Sequence, residues 1–210
     1  MRTAVDTEAG AIMALDVSAE QDWRRFAAYA TERWGQLDGL VTCAAIIHSG
    51  DGDLEHVDRD AWERTHAVNV TGAMLASRTA VALMRPHGTG SIVHLSSIVA
   101  TRGSVTSQLA YTTSKGAVTA LTRELAVAYA PLGIRVNAVM PGLLATPLTA
   151  ALVVAIRAGP SSCSHTDGTA RRATRCRGRR CLAALRRGRL CNRDAAGSRR
   201  GLTSVIRNRS

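Results

Sequence analysis

Four short runs dominated by apolar residues recur along the first 140 residues, and the stretches between them place apolar residues at helical spacing. The runs are AIMALDV at 11–17, GLVTCAAI at 39–46, SIVHLSS at 91–97 and IRVNAVM at 134–140. Between the first two, residues 19–34 carry Trp23, Phe26, Ala27, Ala30 and Trp34 on a helical period. A loop rich in Gly and Asp follows from Ser49 to Asp53. A long helix is then expected from Asp58 to Asp60, where an acid caps it, to Met84, ahead of Pro86 and Gly88. A third helix runs from about Ala110 to Tyr129 and stops at Pro131 and Gly133. Strands this apolar must be buried on both faces, and helices of this length supply the cover. The pattern predicts an α/β fold with an open, doubly wound parallel sheet. Such sheets bind ligands beyond the carboxyl ends of their strands, which points to Asp16, Ala44, Ala45, Ser97 and Pro141 to Thr146.

The net charge of +11 is not spread evenly. Residues 1–154 hold 11 Arg and one Lys against 14 acids, a net −2, whereas residues 155–210 hold 15 Arg against two Asp, a net +13. Cys163, Cys176, Cys181 and Cys191 lie in that second stretch, while all seven aromatic residues lie at or before Tyr129. Two compositions are joined: a folded domain over 1–154 and an Arg-rich tail over 155–210, expected to be disordered because it has few large apolar residues and a high charge. The start of the chain lacks the apolar core of a secretory signal. No uninterrupted apolar run reaches the ~18 to 20 residues of a membrane span. A soluble, cytoplasmic protein with no membrane partner is expected, and disulfides are not.

Chemistry concentrates in one constellation. Tyr111 and Lys115 stand four apart near the start of a helix, so both side chains occupy one face. A free phenol has a pKa of about 10, and proton transfer near neutrality calls for a positive neighbour that favours the phenolate. Lys115 is placed to supply it and is the only lysine in a chain with 26 Arg. Its compact ammonium with rotatable donors can reach a ribose hydroxyl as well as the tyrosine, which a planar guanidinium fits poorly. Ser97 ends the third run, 14 residues before Tyr111, where its hydroxyl can hydrogen-bond a carbonyl oxygen while the tyrosine exchanges a proton. Asn69, in VNVTG, is polar within an otherwise apolar helix; taken alone it reads as a local backbone hydrogen bond or a kink.

Five pieces in order, LDV at 15–17, VNVTG around Asn69, GSIVHLSS at 90–97, YTTSK at 111–115 and IRVNAVMPGLLATP at 134–147, resemble the short-chain dehydrogenase/reductases, with their nicotinamide-dependent Rossmann fold. The resemblance covers about residues 4–150. It implies that Asn69, Ser97, Tyr111 and Lys115 match the family's catalytic tetrad. Tyr111 would be the general acid or base, Ser97 would orient the substrate oxygen, and Lys115 would hold the ribose and lower the tyrosine pKa. Asn69 would position a water in a proton relay. The resemblance further implies NAD or NADP as cofactor. Asp16 and Val17 would lie beside the adenine, Ala44 and Pro141–Gly142 along the cofactor, and Leu144 and Thr146 at the nicotinamide carboxamide. Hydride would pass between the nicotinamide and a small alcohol or ketone. Helices 58–84 and 110–129 look like the family's paired interface helices, which implies a homo-oligomer or a non-catalytic association with intact relatives.

Three departures accompany the match. The family's opening strand, glycine-rich TGxxxGxG turn and helix, whose amides cradle the pyrophosphate, have no counterpart here, so the sheet is expected to be incomplete at its N-terminus. Thr42, Cys43, Ala44 and Ala45 stand where the family commonly has Asn-Asn-Ala-Gly, and impaired cofactor binding is expected. The resemblance also stops near Leu152, and the tail beyond is compatible with a reading-frame shift. One set of codons for residues 191–200, read from the second base, encodes VTGTLLGVDG, similar to the family's C-terminal strand. The same shift permits GEP across 171–173 and SDE across 185–187. Alternatively, the clustered Arg could coat phosphate backbones, although without stacking aromatics. The spacing of Cys176, Cys181 and Cys191 lacks the paired knuckle of a zinc site, so no metal is expected.

Overall fold

The computed structural model describes residues 4–7, 10–104 and 106–144. Thr146 and the whole Arg-rich tail, with its expected disorder and shifted frame, lie outside the described residues. Two sheets form. The larger is a parallel three-stranded sheet in the order β3 (Gly39–Thr42), β4 (Gly90–Leu95), β5 (Ile134–Val139). Its register sets Gly39 beside Ser91 and Thr42 beside His94, then Gly90 beside Ile134 and Leu95 beside Val139. The three carboxyl ends therefore lie side by side. This is the α/β, Rossmann-like parallel arrangement that the apolar runs at 39–46, 91–97 and 134–140 predict.

The run at 11–17 behaves differently and corrects its expected place in that sheet. Only Gly10–Met13 is a strand (β2), and it pairs antiparallel with β1 (Ala4–Thr7) in a separate two-stranded sheet. Ile12 is 69% exposed, so this strand is not a buried one. The hairpin satisfies backbone groups that the parallel sheet would otherwise have paired. The remainder of the run leaves the strand but still reaches the core, where Leu15 and Val17 pack. Gly72 permits that approach: a β-carbon there would come within 2.9 Å of Val17.

The helices follow the expected spacing closely. Helix α1 (Glu20–Trp34) ends at Gly35 in the left-handed conformation, whose N–H donates to the carbonyls of Ala30 and Thr31. The Asp58 side chain caps α2 (Arg59–His66) by accepting from the Ala61 N–H at 2.6 Å. A π-helical turn over Ala67–Thr71 joins α2 to α3 (Gly72–Met84), so the long helix expected there is continuous but widened around Asn69. The short α4 (Val99–Arg102) precedes α5 (Leu109–Tyr129). Arg78 on α3 pairs with Glu20 on α1 at 2.6 Å.

Alternation along the strands puts Leu40, Ile92, His94, Ile134 and Val136 on one sheet face. Both α3 and α5 pack there, since His94 bonds to a residue of each. Ile92, Ile134 and Met84 are fully buried at the centre of this core. The helical stretch Arg59–His87 is, by length and composition, apolar enough to cross a membrane, which uninterrupted runs alone did not show; half of its apolar window is buried in this fold, as in a core helix.

Replacing Ile92 by Ala should cost about 2–5 kcal/mol, the range for emptying a closed core position. Ile12→Ala should stay within about 0.5 kcal/mol, as at an exposed site. Denaturant unfolding of the two variants checks this. Equal losses would place β2 back in the buried sheet.

Candidate functional site

The site grows from the carboxyl ends of β3, β4 and β5, where the segments beginning at Cys43, Ser96 and Met140 emerge together. Two backbone bonds tie the last two: Ser96 N–H donates to Val139 O at 2.9 Å and Ile98 N–H to Pro141 O at 3.1 Å. Helix α5 crosses this edge. Lys115, only 3% exposed, donates from Nζ to the Leu95 carbonyl at 2.7 Å, and Ser96 Oγ donates back to the Lys115 carbonyl at 2.9 Å. Strand and helix are thus stapled by a reciprocal pair of bonds at the point where the chemistry is expected.

Tyr111 lies one turn earlier on the same face, and Lys115 Nζ is 5.5 Å from its ring centroid. Burial pushes the Tyr111 phenol up, and a side-chain hydrogen bond with Ser97 pulls it part of the way back. The expectation that Lys115 lowers this phenol is not what dominates here: desolvation does, with Ser97 as the counterweight. Burial in turn brings the Lys115 ammonium down to about 8, opposed by the nearby Cys43. Burial raises the Cys43 thiol, and Lys115 opposes that rise.

Asn69 sits on the π-helical turn and is buried. Its Oδ1 accepts from the Ile46 N–H at 2.8 Å, and its Nδ2 donates to the Ile46 carbonyl at 3.1 Å and to Ser114 Oγ at 2.9 Å. Both amide hydrogens are spent inside the protein. Ser114 Oγ donates to the Tyr111 carbonyl at 2.7 Å, which extends a polar chain from the segment after β3 to the backbone of the tyrosine. The extra residue of a π turn lets α2–α3 keep its packing while Asn69 turns to these partners. The local backbone bond that Asn69 suggests by itself is not what forms: its side chain bonds to the Ile46 backbone 23 residues away and to Ser114 45 residues away, and the helix widens into a π turn at that point.

The remaining expected residues divide. Ala44 is exposed at the end of β3, and Pro141, Gly142 and Leu144 are half-buried on the segment after β5. Asp16 and Val17 serve the start of α1: Asp16 Oδ1 accepts from Ser18 N–H and Oγ, and Val17 O accepts from Trp23 Nε1–H. Those Ser18 bonds hold the exposed Asp16 carboxyl below the usual carboxylate range. The structure thus brings Asn69, Ser97, Tyr111 and Lys115 into one neighbourhood and places Asp16 and Val17 in a separate loop. Among residues that spacing did not single out, Ser96 and Ser114 tie α5 into the site. Only their position beside Ser97 and Lys115 could have marked them.

His94, one residue before Leu95, is fully buried between Ser77 on α3 and Thr122 on α5, 2.8 Å from each hydroxyl. Burial first, then the charge of Lys115, brings it down to about 4. A neutral ring donates from one nitrogen and accepts at the other. One of the two hydroxyls must therefore donate to it in place of its own helix carbonyl.

The family model described as Enoyl-(Acyl carrier protein) reductase matches residues 1–159. The chain is 37% identical over 150 residues to a trans-4-hydroxycyclohexanecarboxylate dehydrogenase of Sinomonas cyclohexanicum, covering 71% of this chain and 56% of that one. It is 41% identical over 127 residues to 2-(S)-hydroxypropyl-CoM dehydrogenase 3 of Xanthobacter autotrophicus, covering 60% and 49%. A solved short-chain dehydrogenase/reductase from Burkholderia xenovorans matches with a TM-score of 0.63 and 29% identity, over 67% of this chain and 52% of that one. The chain spans about half the length of the curated relatives it matches.

The depressed His94 makes a stability prediction. Between its unfolded value of about 6.5 and its folded value of about 4, the unfolded chain binds the extra proton, so stability rises with pH in that window. Unfolding free energy should drop by on the order of 3 kcal/mol as pH falls from 7 to 4. His94→Gln should remove most of that slope in denaturant titrations at stepped pH.

Proposed function

Because this chain belongs to the short-chain dehydrogenase/reductase family, we propose that its site interconverts a secondary alcohol and a ketone by hydride transfer with NAD or NADP. The observation that carries this reading is the convergence of Ser97, Tyr111 and Lys115 where the parallel strands end. The named relatives are dehydrogenases of hydroxy compounds, which supports the same reaction class. Lys115 fits the nicotinamide–ribose half of such a cofactor, because Leu95 takes one of the three ammonium donors and a ribose hydroxyl can take another. Pro141, Gly142 and Leu144, with Thr146 beyond the described residues, would line the nicotinamide, and Asp16 and Val17 the adenine. A bound nicotinamide would supply the hydride acceptor or donor.

In the reducing direction, burial keeps the Tyr111 phenol protonated, which suits it to give a proton to the carbonyl oxygen. Ser97 would donate a hydrogen bond to that same oxygen as negative charge develops. In the oxidising direction the phenol must first lose its proton, and the ammonium 5.5 Å from its ring favours that loss. With both hydrogens of its amide engaged, Asn69 would meet a relay water only through an acceptor, its Oδ1 or its backbone carbonyl.

Cofactor binding is proposed to be weak, because Ala45 puts a methyl group where the family's glycine lets the cofactor approach. Met74 on α3, an exposed residue that lines a cavity of about 200 Å³ between α3 and α5, supports association with a second copy.

Reduced-nicotinamide absorbance with a panel of secondary alcohols tests the reaction. Tyr111→Phe should lower any turnover by at least about 100-fold, the lower range for losing a general acid or base. Turnover that survives this change would sink the assignment. Ala45→Gly should tighten NAD(H) binding several-fold in a fluorescence titration, and an unchanged affinity would contradict the proposed obstruction. Light scattering should show a dimer that Met74→Glu splits; a monomer in the parent chain would remove the oligomer proposal.

A further inference from the structure

Helix α5 begins without a local cap. Gln108 at its N-cap makes no capping bond, and the first turn contains no acid. The missing groups come from a loop almost sixty residues upstream. Asp51 Oδ1 accepts from the Ala110 N–H and Oδ2 from the Tyr111 N–H, both at 2.9 Å, while the Gly52 carbonyl accepts from the Leu109 N–H at 2.9 Å. Three successive amides of the helix that carries Tyr111 are thus satisfied by two adjacent residues. A carboxylate at a helix N-terminus gains from charge-assisted bonds and from the helix dipole together.

The loop is itself braced. Asp51 N–H donates to His48 O at 3.0 Å, and Asp58 N–H donates to Gly50 O at 3.1 Å while Asp58 caps α2. His48 Nε2 lies 3.4 Å from Asp60 Oδ2. On the far side of the tyrosine, Ser114 holds its carbonyl and Asn69 holds Ser114. The backbone of Tyr111 is therefore gripped at both its N–H and its C=O by partners that trace back to the segment following β3.

We propose that Asp51 is a positioning residue for Tyr111, fixing the start of α5 so that the phenol stays against Ser97. The proposal rests on Tyr111 as the acid–base group, but its test does not require turnover. Asparagine at position 51 keeps the shape and one acceptor but turns an NH2 toward one of the two helix amides, which breaks the bidentate grip.

Ultraviolet titration of tyrosinate in the full chain, with Tyr111 isolated by difference against Tyr111→Phe, reads the phenol directly. Ser97→Ala in the parent chain should raise the Tyr111 midpoint by about 0.5 unit or more, because a bond that favours the phenolate is lost. In the Asp51→Asn background the same Ser97→Ala change should shift the midpoint by less than half as much, since the phenol no longer rests on Ser97. Removing the Asp51 charge by itself would lower the midpoint, so the coupling between the two changes is the quantity compared. Circular dichroism confirms that α5 is retained; if Asp51→Asn does not fold, Asp51→Ser, which keeps one short acceptor, takes its place in the same cycle. An equal Ser97→Ala shift with and without the Asp51 carboxylate would overturn the proposal. A preserved coupling cycle in a chain that shows no alcohol oxidation would instead sink the redox reading and leave the positioning role standing.

Discussion

A buried ammonium is expensive to hold, and Lys115 is held by the carbonyl that ends β4. Burial alone would favour the neutral amine, which is why the group is brought down to about 8. The 2.7 Å bond to Leu95 O offsets part of that cost and fixes the side chain at the edge where all three parallel strands stop. The reverse bond from Ser96 Oγ to the Lys115 carbonyl locks α5 to the same strand end. Moving the start of α5 along the strand end would stretch both bonds together.

The other groups take their places from this staple. Tyr111, one turn toward the start of α5, is brought under the ammonium and against Ser97. Asn69 reaches across from the π turn to join the Ile46 backbone to Ser114, and so ties the segment after β3 to the same helix. His94 lies on the core side of this staple, where α3 and α5 share it through Ser77 and Thr122. The charge of Lys115 also reaches His94 and Cys43, so one ammonium influences the titration of groups on two neighbouring strand ends.

The parts of the fold legible in the sequence were those set by local pattern. The runs at 39–46, 91–97 and 134–140 read as strands, and Asp58, Pro86, Gly88, Pro131 and Gly133 marked helix ends by their own chemistry. Tyr111 and Lys115 shared a face because four residues make about one helical turn. What local pattern could not supply was the partner of each group. The run at 11–17 is as apolar as the others, yet pairing with residues 4–7 draws its first half into a hairpin. Asp51 read only as part of a polar loop, because its bonds are made 59 and 60 residues away. The direction of the Tyr111 shift was likewise hidden: spacing reveals a neighbouring charge, but desolvation depends on how the whole core closes around the phenol.

The most direct measurement exploits the composition of the chain. Lys115 is the only lysine in 210 residues, so selective carbon-13 lysine labelling gives a single ε-carbon resonance. Its pH titration by nuclear magnetic resonance reports the ammonium at the end of β4 and nothing else. The structure predicts a midpoint near 8, with Ser96→Ala changing the environment of that resonance because the opposing half of the staple is gone. A midpoint near the unperturbed value of about 10.4, unmoved by Ser96→Ala, would mean that the lysine lies in solvent, and that the arrangement of Tyr111 and Ser97 around it does not exist.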